Sequence, residues 1–210
     1  MTPLEIESAA RTRYNAVGDP HFSQAMIMDL IYHASMQLAV ETKCIERTFS
    51  TTTVADQKEY SYPSNAIALK RVEYDGLEIR SVDLNEDPKT SATEPTGRPG
   101  SYAIWNEELH LFPTPDDAKT LKIFAYVEPS AVETTSTLEV PSEYHLMIID
   151  FVMSYMFAKD KDPTMAAFHL RLWNEGLGRA KRDRAKRKRG DNFATVKDHV
   201  KVRSPAGFVY

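Results

Sequence analysis

Cysteine is nearly absent: Cys44 stands alone among 210 residues, so no internal disulfide can staple the fold. Histidine is sparse too. His21, His33, His110, His145, His169 and His199 show no pair at metal-ligand spacing with a carboxylate or cysteine close by, and each is expected to be a surface or capping residue. The chain has no phosphate-binding loop, no dinucleotide glycine fingerprint and no nucleophile elbow. No run approaches the roughly 18–20 apolar residues that cross a bilayer, and Met1-Thr2-Pro3-Leu4-Glu5 lacks a basic segment followed by an apolar one. The expectation is therefore a chain made in the cytoplasm, not tied to a membrane, with no catalytic residue, no metal ligand and no cofactor, and not an enzyme. A buried acid pair is assembled in space rather than in sequence, so a hydrolase reading stays open.

What is present is ordinary globular material, 42% hydrophobic and 27% charged. The net charge of −4 conceals an asymmetry. Between Arg171 and Arg203 there are 12 Lys/Arg against 4 Asp/Glu, which leaves 14 against 26 elsewhere. An acidic body carries a basic C-terminal segment.

The pattern of helix starts and turns divides the chain. Thr2-Pro3-Leu4-Glu5 reads as a capped start for a helix to about Asn15, with Ile6, Ala10, Tyr14 and Val17 on one face. Ser23 caps a longer helix to about Lys43, where Ile27, Leu30, Ile31, Ala34 and Leu38 form a stripe that Met28, Tyr32, Met36 and Ala39 widen. So wide a stripe is expected to meet cover on two sides, from this chain alone or from a neighbouring subunit. From Cys44 onward Thr, Val and Tyr alternate at period two, predicting strands at 45–53, 59–62, 67–74, 77–83, 101–105, 109–112 and 121–127. Asp75-Gly76 is a strong tight-hairpin signal, whereas Asn106-Glu107 is weaker because Glu is a poor choice at positive φ. The segment 85–100 is rich in Pro and Gly and reads as a long loop, either mobile or, in a ring protein, a contact arm.

Ser142 is expected to cap a third helix whose apolar residues, from Leu146 to Phe157, go round nearly the whole circumference and predict full burial. Asp162-Pro163 stops it and starts a fourth, with Phe168, Leu172, Trp173 and Leu177 inward and close packing or a kink expected at Gly176 and Gly178. Apolar positions cease after Ala180. There follows a basic surface of Arg179, Lys181, Arg182, Arg184, Lys186, Arg187, Lys188 and Arg189, interrupted only by Asp183 among the charges. Such a run suits DNA phosphates, an acidic partner protein, or plain solvation at a helix end, and three readings stay open. Beyond it Phe193, Val196, Val200, Val202, Phe208 and Tyr210 are too few to form a core and too many for an indifferent linker.

Gly97-Arg98-Pro99 precedes Tyr102; then come Leu109-His110-Leu111-Phe112-Pro113-Thr114-Pro115, Phe124-Ala125-Tyr126, and Leu138-Glu139-Val140-Pro141-Ser142-Glu143-Tyr144-His145 opening an apolar helix. This order resembles the head-to-tail adaptor (neck) proteins of tailed bacteriophages, including the tubular tail proteins of short-tailed phages, over roughly residues 1–185. The resemblance implies a virion protein, made in the host cytoplasm, that forms a ring of roughly twelve copies beneath the portal protein. A tail or nozzle protein would follow below, and genomic double-stranded DNA would pass through the hole.

The expected architecture is α+β: a helical bundle from 1–43 and 142–189, an inserted antiparallel β-sandwich or barrel-like domain from 44–141, and an extended tail from 190–210. In it the tail residues dock on the portal, the basic surface faces the channel or a docking partner, and Trp105 and Arg98 make inter-subunit or tail contacts. By residue type alone Trp105 and Trp173 are most simply core or hairpin-packing residues, Trp105 becoming an interface anchor if it is exposed at a hairpin tip. A DNA-binding module using the basic helix is the alternative.

Overall fold

The computed structural model describes residues 1–84 and 96–197, with side chains through residue 186. Helices α1 (Pro3–Tyr14) and α2 (Gln24–Thr42) lead into strands β1 (Glu46–Thr52), β2 (Glu59–Ser61), β3 (Ala66–Tyr74), β4 (Leu77–Ser81), β5 (Ser101–Trp105), β6 (Glu108–Phe112) and β7 (Thr120–Val127). A 3₁₀ turn (Ser142–Tyr144), α3 (His145–Lys159) and α4 (Pro163–Lys197) complete the chain.

The first helix starts where its capping box says it should: the Glu5 N–H donates to Thr2 Oγ1 and the Thr2 N–H to Glu5 Oε2. It ends where expected, with Asn15 in the left-handed conformation as its C-cap, but Val17 lies beyond that cap, off the apolar face, and is 76% exposed. Arg11 then folds the α1–α2 connection. It pairs with buried Glu7 at 2.8 Å and donates to the carbonyls of Asp19 and Phe22. Ser23 and Asp162 cap α2 and α4 as expected. Ser142 does not cap: it opens the 3₁₀ turn with no side-chain hydrogen bond, the tighter turn itself delivering the chain to α3.

The strands form one seven-stranded sheet in the order β1-β7-β3-β4-β5-β6-β2. It is mixed rather than antiparallel, because β4 and β5 run parallel. A parallel pair needs a long crossover, and the segment predicted as a contact arm supplies it. Residues 85–95 of that arm lie outside the described part.

The sheet has to curl. β1 and β2 are its opposite edges, yet only residues 53–58 join them. Seven peptide steps reach about 25 Å, while six strand spacings in a flat sheet cover about 29 Å. Register shifts in β3 between Ala66 and Ala68 and between Leu69 and Arg71 add bend. The result is a half-barrel whose concave face buries Tyr60, Val72, Tyr74, Ile79, Tyr102, Leu109, Leu111, Leu121 and Ile123 in one cluster.

A second core lies among the helices, with Trp173, Ile148, Ile149, Val152, Met156, Ile27, Ile31 and Leu38 at its centre. Strand β7 crosses from one core to the other. Leu121 and Ile123 belong to the barrel cluster and Ala125 and Val127 to the helical one, all four on one face of the strand. Phe49 and Leu69 pack against both clusters.

Helix α3 is not buried all round. Leu146 and Tyr155 are 60% and 49% exposed, because α1, α2 and α4 cover only part of its circumference. The expectation that every histidine is superficial or a cap also fails: His110, His145 and His169 are buried. Polar partners make this tolerable for two of them, since His145 sits 2.9 Å from the Val140 carbonyl and His169 3.1 Å from Asp150.

Candidate assembly surfaces

Helix α4 sorts its basic residues by face. Leu177 and Ala180 are its last described core residues, and Gly176 lets the helix approach Met147, whose side chain would lie 3.2 Å from an added Cβ. One turn on, Lys181 Nζ pairs with Glu41 at 2.6 Å, and Arg184 donates to the Lys43 carbonyl at 2.7 Å and to Glu46 at 3.1 Å. Lys43 is the C-cap of α2, where backbone carbonyls lack helical partners and cations are favoured. Glu46 also holds Lys70 at 3.2 Å. Partial burial works against its charge, but Lys70 and Arg184 outweigh that and keep the carboxyl below its ordinary value.

Arg179, Arg182 and Lys186 recur at helical spacing on the other side. They are exposed and make no ion pair among the described residues. Among its described side chains the basic run is therefore two surfaces: a clamp onto the body and an exposed cationic face with no ion pair among the described residues. Arg187, Lys188 and Arg189 continue α4, whose backbone runs to Lys197 and takes Phe193 and Val196 with it. Side chains from 187 onward, and all of Val200, Val202, Phe208 and Tyr210, lie outside the described part.

Apolar surface is exposed on separate helices. On α2, Met28, Tyr32, Met36 and Val40 form a line at four-residue spacing, the first three half-buried and Val40 44% exposed. A groove between α3 and α4 is floored by Ala158, Ala166 and Ala167 and walled by Tyr155 and Leu170, which are 49% and 44% exposed.

The β5–β6 hairpin presents a third such place. Asn106 and Glu107 both adopt positive φ, 51° and 60°, as a type I′ turn requires, and the strand they reverse ends in Ile104 and Trp105, 46% and 63% exposed. Trp105 is thus a hairpin-tip side chain, whereas Trp173 is core at 1% exposure. Arg98 is exposed at the end of the crossover.

A model of the SU10 adaptor protein family matches residues 1–196, from α1 through both cores to the end of α4. The chain belongs to this phage head-to-tail adaptor family. No curated protein gives a significant match. As a phage adaptor it is a virion component that assembles with other structural proteins, and no helix among the described residues is long and apolar enough to cross a membrane.

One convergence in the adaptor escapes a linear reading. Glu59, Glu108 and His110 place ligand-type atoms within 4.8 Å of one another, the one such trio among the described residues. The i, i+2 relation of Glu108 and His110 was visible in sequence, but Glu59 joins them only through β2–β6 pairing, where it stands opposite His110.

Proposed function

We propose that copies of this adaptor associate side by side into a closed ring that joins the portal to the tail and leaves a passage for the genome. The supporting observation is the pair of exposed apolar faces on different helices, the α2 line and the α3–α4 groove. A ring closes through a heterologous contact, one surface of a subunit meeting a different surface of the next. Two unlike apolar faces on one subunit answer that requirement. In this reading the role is structural rather than catalytic. The Trp105 tip and Arg98 serve lateral or tail contacts, the half-barrel extends the conduit, and residues 190–210 latch to the portal.

The test is mass and shape by light scattering and electron microscopy, with and without the portal ring, for the full chain and a form ending at Arg189. A full chain that decorates the portal as a ring, while the shortened form does not, is the expected result. Failure of both to associate with a portal or with themselves would remove the ring reading.

A second reading, non-specific DNA binding by the isolated protein, draws on the exposed face of Arg179, Arg182 and Lys186. Charge reversal there would lower the salt dependence by about one unit of log–log slope for each phosphate that is no longer neutralised. An unchanged slope removes this reading.

A further inference from the structure

The edge strand β2 is three residues long and pairs with β6 through Glu59 with His110, Tyr60 with Leu109 and Ser61 with Glu108. Tyr60 and Leu109 point into the concave core. Glu59, Glu108 and His110 therefore share the opposite, outer face of the sheet. Glu59 is exposed, Glu108 half-buried and His110 only 9% exposed.

The His110 Nε2 is buried with no hydrogen-bond partner, and its Nδ1 lies 3.7 Å from Glu59 Oε1. That separation exceeds the roughly 3.2 Å limit of an N–H···O hydrogen bond, so no direct bond ties the ring to the carboxylate. It is close to the spacing of two ligands on one small metal ion, about 3.4 Å for bonds of about 2.05 Å at tetrahedral angles. A neighbouring cation, Lys58, is held over the Phe112 ring, 4.6 Å from its centroid, two residues beyond His110 on β6.

We propose that Glu59, Glu108 and His110 bind a divalent transition-metal cation of the zinc class, with water completing the coordination. An imidazole beside two carboxylates fits Zn²⁺, Co²⁺ or Mn²⁺ better than Mg²⁺ or Ca²⁺, which prefer oxygen alone. The buried imidazole is the fixed ligand, and the two glutamates, with freedom to rotate, close on the ion. The ion's role follows from position. It pins the short β2 to β6 beside the 53–58 connection that joins the two edges of the half-barrel.

The full-length chain, stripped with chelator, is titrated with ZnCl₂ alone and MgCl₂ alone by calorimetry, and with CoCl₂ by visible absorption. Thermal unfolding is followed in parallel. The expected result is about one Zn²⁺ per chain, a tetrahedral-type Co²⁺ band, and a Tm raised by about 5 °C at saturation. Because His110→Ala is at a buried site and can disturb the fold, the deciding variant is E59Q/E108Q, whose substitutions sit on accessible side chains. Its Zn²⁺ affinity should fall by about 100-fold or more with the circular dichroism unchanged. Absence of binding, equal response to Mg²⁺, or undiminished affinity in E59Q/E108Q overturns the site.

Discussion

Arg184, near the end of the described side chains, donates through Nη2 to the main-chain carbonyl of Lys43, 2.7 Å away and 141 positions earlier. The same guanidinium reaches Glu46, so one side chain joins α4 to the end of α2 and the start of β1. Its own Nε is buried without a partner, which shows how closely it is packed.

Arg184→Met should therefore cost about 1–3 kcal/mol, since it strands the Lys43 carbonyl and removes a cation from a helix C-terminus. Arg184→Lys should recover only part of this, because an ammonium cannot hold two acceptors in the same planar fork. Urea unfolding of the three proteins measures both effects. The depressed Glu46 carboxyl adds a pH signature with a definite sign. Its stabilising contribution is present above the ordinary glutamate value of 4.5 and is lost as pH falls through the lower folded value. Arg184→Met should flatten that acid limb.

Glu7 and Arg11 form the most buried described ion pair of α1, with side chains 7% and 14% exposed. Arg11→Met leaves the buried carboxylate without its partner and should destabilise by about 3–5 kcal/mol. Adding Glu7→Gln should restore a substantial part, because Gln24 still reaches that position. A double-mutant cycle in urea checks the coupling, and additivity of the two changes would contradict it.

His145 couples the entry of α3 to pH. Burial, offset by the Val140 carbonyl and reinforced by the Met1 ammonium, lowers its pKa below 6.5. The folded state thus binds the proton less readily than the unfolded chain. Stability should be full above about pH 6.5 and decline as pH drops from there toward the lower folded value. His145→Gln should remove this slope between pH 7 and pH 5, as read from Tm against pH.

The β5–β6 turn separates stability from assembly. Glu107 holds φ at 60°, so Glu107→Gly should stabilise the chain by up to about 1 kcal/mol. Trp105→Ala, at a 63% exposed site, should change urea stability by less than about 0.5 kcal/mol. If Trp105 anchors a subunit or tail contact, the same change should weaken assembly by about 2 kcal/mol or more, seen as a roughly thirtyfold shift in the concentration for association. Unaltered assembly would leave the tip without that role.

The seven strands and four helices among the described residues were legible because their causes are local, their ends falling within a few residues except at α4, which continues to Lys197 where an extended tail was expected from residue 190. Thr2, Ser23 and Asp162 are caps by their own chemistry, and alternation from residue 45 marks strands whatever they pair with. Period alone made α3 look buried all round, but the exposure of Leu146 and Tyr155 depends on where other helices stop. Likewise the basic run could be counted but not divided.

By itself, then, the sequence determined the order and kind of elements, the acidic body with its basic end, and the adaptor family. Tertiary structure alone decided that β4 and β5 run parallel, that the edges of the sheet approach each other, and that β7 serves two cores. It also decided which of the described cations are clamped and which are exposed, and that Glu59 meets His110. Each of these is a relation between residues far apart along the chain. Local propensity carries no information about such distances; loop closure and strand register do.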